Sequence, residues 1–348
     1  MRKLSKDDKI YLYYKDRGEV MATIVDVAKI AGVTPTTVSR VINNRGYISE
    51  KTRNKVFEAM RELNYQPNEI ARSLTKKKTN TIGIIVPHIS HPYFSKLISN
   101  LENQASKKGY KIMLCNSKEE AEKEQEYLDM FKSNRVAGIV LCSGNVEASK
   151  INVGDTPIVL LEKNFEEGYL GIQCDNYKGG KLATEHLIEC GCKRLLHFSG
   201  VIGEDMPADY REKAFIDICE KEGIQYFVKK CDLSIYNDMN YYKYIRDTLI
   251  NLPKVDGIFA SSDLIAAQVI QVCNELKINI PKDLKLVGFD DVDISKLTIP
   301  TITTIHQPIT EMAKEAISFI DKKINNEKIL NETIILEVKL IKRNSSEV

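Results

Sequence analysis

The sequence predicts two folds in series: an α-helical helix-turn-helix head, then an α/β body of two lobes, each a doubly wound parallel sheet. Three observations predict this. Two short amphipathic patterns joined by a glycine turn stand between residues 22 and 44. From residue 81 onward, continuous apolar runs of strand length alternate with helical patterns, as in a parallel sheet covered on both faces. Charge divides at the same place: residues 21–80 carry 11 Lys and Arg against 5 Asp and Glu, whereas residues 81–348 carry 33 against 39. A basic head on an acidic body suits a nucleic-acid-binding module joined to a domain with another task.

In the head, Thr23 followed three residues later by Asp26 is a capping-box-like start, the acid able to reach back to an orphan amide. Val27, Ala28 and Ala31 recur on one helical face, and Gly32 ends the helix where a left-handed residue costs least. Thr34 then caps a second helix with Pro35 at its first position, and Val38, Val41 and Ile42 form its apolar face. Off that face stand Pro35, Thr36, Thr37, Ser39, Arg40 and Asn43. These short hydrogen-bonding side chains and one Arg are the set that reads base edges in a major groove. A hairpin buried in some other core would not leave its second helix so polar and acid-free. Ser49 caps a third helix, whose Val56, Ala59, Met60 and Leu63 close the small core.

The words DVAKIAGVTPTTVSRVINN, ISEKTRNKVFEAMRELNYQPN and ARSL are long, ordered and specific. Through them the run Thr23 to Leu74 resembles the lactose/galactose repressor (LacI/GalR) family of bacterial transcription regulators. The resemblance implies operator DNA as a partner and adds Thr23 to the DNA-contacting set. It also implies a hinge helix at Asn68–Ser73, carrying Asn68 and Ala71, that folds on DNA with two copies in the minor groove. Leu74 would wedge between base steps. The expected domains are an extension at 1–20, the DNA-binding head at 21–66, hinge and linker at 67–80, and an effector-binding, dimerising body at 81–348.

Residues 1–20 are polar and lack a convincing period, and the resemblance begins only after Met21. Arg17-Gly18-Glu19 can be encoded by AGA-GGA-GAA, a purine run like a bacterial ribosome-binding site. Met21 is therefore the expected initiator; a disordered basic arm is the alternative.

In the body, TIGIIVP (81–87) is a buried strand, followed by an amphipathic helix through Phe94, Ile98, Leu101 and Ala105. KIMLCNS (111–117) is the next strand, then an acidic helix with Tyr127, Leu128 and Phe131 inward; AGIVLCSG (137–144) and PIVLLE (157–162) follow. The grammar repeats with RLLHFSG (194–200), a helix from about Ala208 to Glu222, FVKKCD (227–232), DGIFASSD (256–263), a helix from Ile265 to Leu276, and LKLVGFDD (284–291). Two such halves place a ligand in the cleft at the strands' carboxyl ends. The resemblance extends over this body and implies the two-lobed periplasmic-binding-protein-like fold. IPTITTIHQP (299–308) is similar to the family's segment that crosses between lobes, and a last strand from Thr333 to Lys342 is expected to return towards the first lobe.

A polyhydroxylated effector needs carboxylates and Arg for paired hydrogen bonds and an aromatic face for its CH groups. Tyr93 and Phe94, just after the first strand, match the family's aromatic position, with plain helix packing the alternative. Arg211 matches an effector clamp, against the alternative of a surface Arg. Asp290, after LVGF, matches an acid that bonds ligand hydroxyls or amines. Ser262 is expected to face the cleft while its neighbour Asp263 caps a helix. Asp175 and Gln307 complete the set with Glu162, which marks a departure: many relatives have an Asp-Arg pair where this chain has Glu162-Lys163. A point charge cannot copy a forked Arg contact, which counts against a simple pentose or hexose. Glu204, Asp205 and Asp209 form an acidic rim that disfavours a phosphorylated or carboxylated effector.

The remaining patterns exclude several classes. No GxGxxG follows a first strand, and there is no P-loop or GxSxG elbow. Five histidines and eight cysteines show no metal-ligand spacing, so neither metal nor cofactor is expected and the thiols read as buried and reduced, as in the cytoplasm. No run is long and apolar enough for a membrane span. An enzyme using Asp290 and Asp291 as a pair is disfavoured because adjacent strand residues face opposite ways. A sugar receptor for transport would need export, for which no signal sequence is seen. The expected molecule is a homodimer, or a higher oligomer, bound to a pseudo-palindromic operator under control of a small-molecule effector.

Overall fold

A computed structural model describes residues 22–66, 79–143, 151–164, 169–201, 206–329 and 332–347. The extension at 1–20 and the hinge residues Asn68, Ala71 and Leu74 lie outside these. The described residues fall into two compact units, one within 1–77 and one within 78–348.

The first unit is three helices: α1 (Ile24–Ala31), α2 (Pro35–Ile42) and α3 (Glu50–Glu62). Thr23 and Asp26 form a full capping box, and Gly32 takes φ 67° at the end of α1, so the turn into α2 needs no strained side chain. Thr34 and Ser49 cap α2 and α3. Val27, Ala28, Ala31, Val38, Val41, Val56, Ala59 and Leu63 bury together as one core.

The second unit is built in chain order from β1 (Thr81–Val86), α4 (Pro92–Lys107), β2 (Lys111–Asn116), α5 (Ala121–Ser133), β3 (Gly138–Leu141), β4 (Ile158–Leu161), β5 (Leu170–Cys174) and α6 (Asn176–Glu189). There follow β6 (Arg194–Val201), α7 (Asp209–Lys221), β7 (Gln225–Cys231), α8 (Leu233–Asp238), α9 (Tyr242–Asn251), β8 (Gly257–Ala260) and α10 (Asp263–Glu275). The chain ends in β9 (Lys285–Asp290), α11 (Ile294–Leu297), β10 (Thr303–His306), α12 (Ile309–Ile324), β11 (Thr333–Leu336) and β12 (Lys339–Ile341). One sheet has the order β11-β5-β4-β3-β1-β2 and the other β12-β10-β9-β8-β6-β7. Each is covered on both faces, the first by α4 and α12 on one side and α5 on the other. The second is covered by α6 and α7 on one side and α9 and α10 on the other.

Two expectations need correction. The single final strand is two: β11 pairs with β5 in the first sheet, and β12 pairs with β10 in the second. Ile334 and Leu336 pack on the first lobe's core while Val338 and Leu340 pack on the second's. Two cores pull the segment apart at Glu337. The second sheet is also not wholly parallel, because β12 runs antiparallel to β10. The chain thus passes between lobes after β5, after β10 and after β11. Beyond β12 it folds back on the second lobe, where Arg343 Nη2 meets Asp291 Oδ1 at 2.5 Å and Ser345 Oγ donates to the Leu286 carbonyl at 2.6 Å.

Candidate DNA-reading helix and effector cavity

On α2, Pro35, Thr36 and Arg40 are exposed and Thr37, Ser39 and Asn43 half-buried, with no acid in its first turn. The residues expected to read DNA therefore share the face away from the core. Some are already engaged: Thr37 and Thr34 hydroxyls bond at 2.9 Å, and Asn43 Nδ2 donates to the Ser39 carbonyl at 2.8 Å. Thr23 spends its hydroxyl on Asp26 Oδ2, at 2.7 Å. Arg40 makes no such local bond, leaving its fork free for a partner. Sequence reasoning passed over Tyr47, 99% exposed beside exposed Arg45 in the loop after α2.

At the carboxyl ends of both sheets lies a cavity of ≈ 130 Å³. Tyr93, Phe94, Glu162, Arg211, Ser262, Asp290 and Gln307 all line it. Seven of the eight residues expected at the cleft are thus brought together. Asp175 is not among them: its carboxylate accepts from the Lys178 amide and caps α6. An acid preceding a helix satisfies orphan amides first. Asp290 and Asp291 do face apart. Asp290 Oδ1 accepts from Gln307 Nε2 at 2.7 Å in the cavity, while Asp291 pairs with Arg343 and His306.

Ser262 faces the cavity as expected, but the helix cap expected of Asp263 is also its own. Ser262 is the N-cap of α10, accepting from the Ile265 amide, and still lines the cavity. Asp263 is fully buried, where Thr304 Oγ1 and the Val292 amide donate to it at 2.6 and 2.9 Å. Arg211 is no surface residue but is 7% exposed. Its Nε donates to Asn176 Oδ1 and its Nη1 to the Ser261 carbonyl, each at 2.7 Å, and its guanidinium lies 3.6 Å from the Phe289 ring centroid. Asn176, missed in the sequence, also donates to Glu162 Oε2 at 3.2 Å, linking acid and Arg. Of the expected acidic rim, Asp209 pairs with Lys230, and Glu204 and Asp205 lie outside the described residues.

Two buried acids facing one Arg set the electrostatics. Burial pushes Asp290 up to about 7, against the pull of Arg211 and the Gln307 bond. Burial also raises Glu162, with Arg211 opposing. His91, the cap of α4, is driven down to about 4 by burial, with His88 and Arg211 adding to it. It is neutral and accepts from the Tyr93 amide through Nδ1. The Tyr93 hydroxyl and Gln307 Oε1 are buried without a hydrogen-bond partner. Glu162 and Asp290 hold φ of 56° and 113°, a strained backbone for non-glycine residues that concentrates at functional sites. No group of three or more His, Cys, Asp or Glu that could hold a metal ion stands among the described residues.

Residues 23–68 match the bacterial regulatory proteins of the lacI family, and residues 184–346 match the periplasmic binding protein-like domain. Over 94% of its length the chain is 36% identical to the ribose operon repressor of Halalkalibacterium halodurans, covering 98% of that protein. The chain belongs to the LacI family. Its relatives in this LacI family include the sucrose operon repressor of Streptococcus mutans, 38% identical over 88% of the chain and 94% of that protein. Among solved structures, a LacI transcriptional regulator from Alkaliphilus metalliredigens complexed with D-xylulofuranose is 34% identical, with TM-score 0.70, covering 78% of this chain and all of that one. The Lac repressor dimer bound to operator shares the fold, with TM-score 0.82 at 23% identity over 94% of the chain. This LacI-family chain is a DNA-binding transcriptional repressor, not an enzyme.

Proposed function

We propose that this repressor, acting in the cytoplasm on the nucleoid, senses a neutral, hydroxyl-rich ligand of one ring, and that the ligand changes its affinity for a pseudo-palindromic operator. The observation that carries the ligand class is the excess of acceptors and carboxylates over cations lining the cavity. Gln307 Oε1 and the Tyr93 hydroxyl are buried without partners beside the carboxylates of Asp290 and Glu162, while Arg211 is the cationic side chain among the described cavity residues. A phosphate or carboxylate would set a third anion against Glu162 and Asp290; a sugar hydroxyl donates to them. An apolar cavity of ~150 Å³ holds a benzene ring, so ≈ 130 Å³ suits one sugar ring rather than two. Phe94, Tyr236 and Tyr241 offer faces for its CH groups.

On the DNA side, α2 reads the major groove through Arg40 with Thr36, Thr37 and Ser39. Asn68, Ala71 and Leu74 form the minor-groove hinge, acting as a pair when two chains associate. Leu297 and Ile299, 79% and 89% exposed in neighbouring positions, support a self-association surface on the body. The effector acts by binding one lobe geometry better than the other, and a fiftyfold preference is worth about 2.3 kcal/mol of coupling. A melting-temperature screen of free pentoses and hexoses, their phosphates, disaccharides and nucleobases, repeated with operator DNA, tests the reading. A free monosaccharide that shifts both melting and operator affinity is the expected result. Arg211 rather than Lys163 brings a forked cation to the cavity, which removes the objection that the Glu162-Lys163 pair raises against a simple pentose or hexose. A shift by sugar phosphates or nucleobases and not by free sugars overturns the ligand class.

A further inference from the structure

The chain crosses between lobes after β5, β10 and β11, so the hinge lies at one end of both sheets. In the first sheet β1 stands three strands from β5, and in the second β7 stands four from β10. At about 4.8 Å per strand these are ~14 and ~19 Å from the crossing strands. At that far end a side-chain hydrogen bond joins the lobes: His88, in the loop after β1, donates Nε2 to Asn237 Oδ1 on α8, at 3.0 Å. His88 is 4% exposed, and its ring meets Tyr236 edge-on at 5.2 Å. Tyr236 is itself a wall of the cavity, although neither His88 nor Asn237 lines it. The helix α8 buries none of its own side chains fully; Ile235 and Tyr236 rest half-buried on its lobe's core.

We propose that His88 and Asn237 form a latch across the mouth of the cleft, holding α8 and Tyr236 over the cavity, so that access to the cavity is governed by a hydrogen bond the effector does not make. Leverage favours this position. A 10° opening about the hinge displaces the far edge by roughly 3 Å, well beyond the few tenths of an ångström a hydrogen bond tolerates. Other bonds between lobes lie nearer the hinge, from Lys96 Nζ to the Asp291 carbonyl at 3.0 Å beside β10 and from Asn176 Nδ2 to Glu162 Oε2 at 3.2 Å beside β5, where the same rotation moves them little. His88 and Asn237 are positioning residues, acting through Tyr236 and α8.

Cys142 provides a readout that needs no effector. It lines the cavity at 3% exposure, and burial holds its thiol well above the ordinary range, so alkylation by iodoacetamide waits on opening. Fully buried Cys273, in the second lobe's core, reports general loosening. With full-length protein and peptide mass spectrometry, His88→Ala and Asn237→Ala should each speed Cys142 labelling roughly three- to tenfold. The double variant should add nothing, and His88→Gln, which keeps a donor, should stay within about twofold of wild type. Cys273 should not change. Wild-type Cys142 rates in both alanine variants, additive effects in the double variant, or parallel acceleration of Cys273 would each overturn the latch. Because no effector is used, such a failure leaves the ligand reading untouched.

Discussion

At the scale of single residues, Asp290 has the most specific consequences. Its folded pKa of about 7 lies above the ordinary 3.8 because burial disfavours its charge. The protonated form is the one the fold prefers, so its contribution to stability is full below about 4 and is lost as pH rises towards 7. Asp290→Asn should remove that slope from a denaturation series between pH 4 and 8; an unchanged slope would mean the acid is solvated. Sugar hydroxyls donate to the ionised carboxylate, so effector binding should tighten as pH rises through about 7, with proton release visible by calorimetry in two buffers. In Asp290→Asn, loss of a charge-assisted bond worth ~1.5–3 kcal/mol should weaken effector binding roughly ten- to a hundredfold. Operator binding without effector should be nearly unchanged. Arg40→Ala belongs to the same scale. It should cost roughly 1–3 kcal/mol per half-site on specific DNA. An equal loss on random DNA, measured by fluorescence anisotropy, would assign Arg40 to phosphate instead.

At the scale of elements, the approach of α6 to α7 governs the clamp. A Cβ on Gly180 would stand 2.5 Å from the Arg211 carbonyl oxygen and 2.8 Å from its Cα, both backbone atoms that cannot turn aside. Gly180→Ala should therefore cost about 1–3 kcal/mol in urea unfolding and, by shifting α7, weaken effector binding as well. Stability lost with effector affinity intact would show that Arg211 is not a clamp. The elements themselves were legible because apolar runs and caps are local signals: Thr23, Gly32, Thr34, Ser49, strands β1 to β4 and strands β6 to β9 stand where the pattern put them. What escaped depends on distant partners. Arg211 looked like either a clamp or a surface residue until Asn176, Ser261 and Phe289 closed around it. Asp263 outdid Ser262 for the interior because Thr304 and the Val292 amide, far along the chain, supply its donors. The division of the last strand likewise rests on which core claims Ile334 and which Val338.

For the whole molecule, the reading requires two heads to act together. Ile299→Asp, placed where a large apolar side chain is exposed, should shift the protein towards monomer in sedimentation velocity and weaken operator binding with it. The binding of a single effector per chain should survive. Dimers that persist while operator affinity falls would move the self-association surface elsewhere.

The way the chain is threaded has a consequence for its synthesis. Neither lobe is complete until residues beyond 330 leave the ribosome, because α12 and β11 finish the first and β12 with Arg343 and Ser345 finish the second. The head, by contrast, has its own closed core by residue 66. A premature stop near codon 330 would thus release a product with a folded reading head and two sheets lacking edge strands. Exposed edges invite aggregation and proteolysis. Such alleles should behave as simple losses of regulator rather than as repressors locked on DNA.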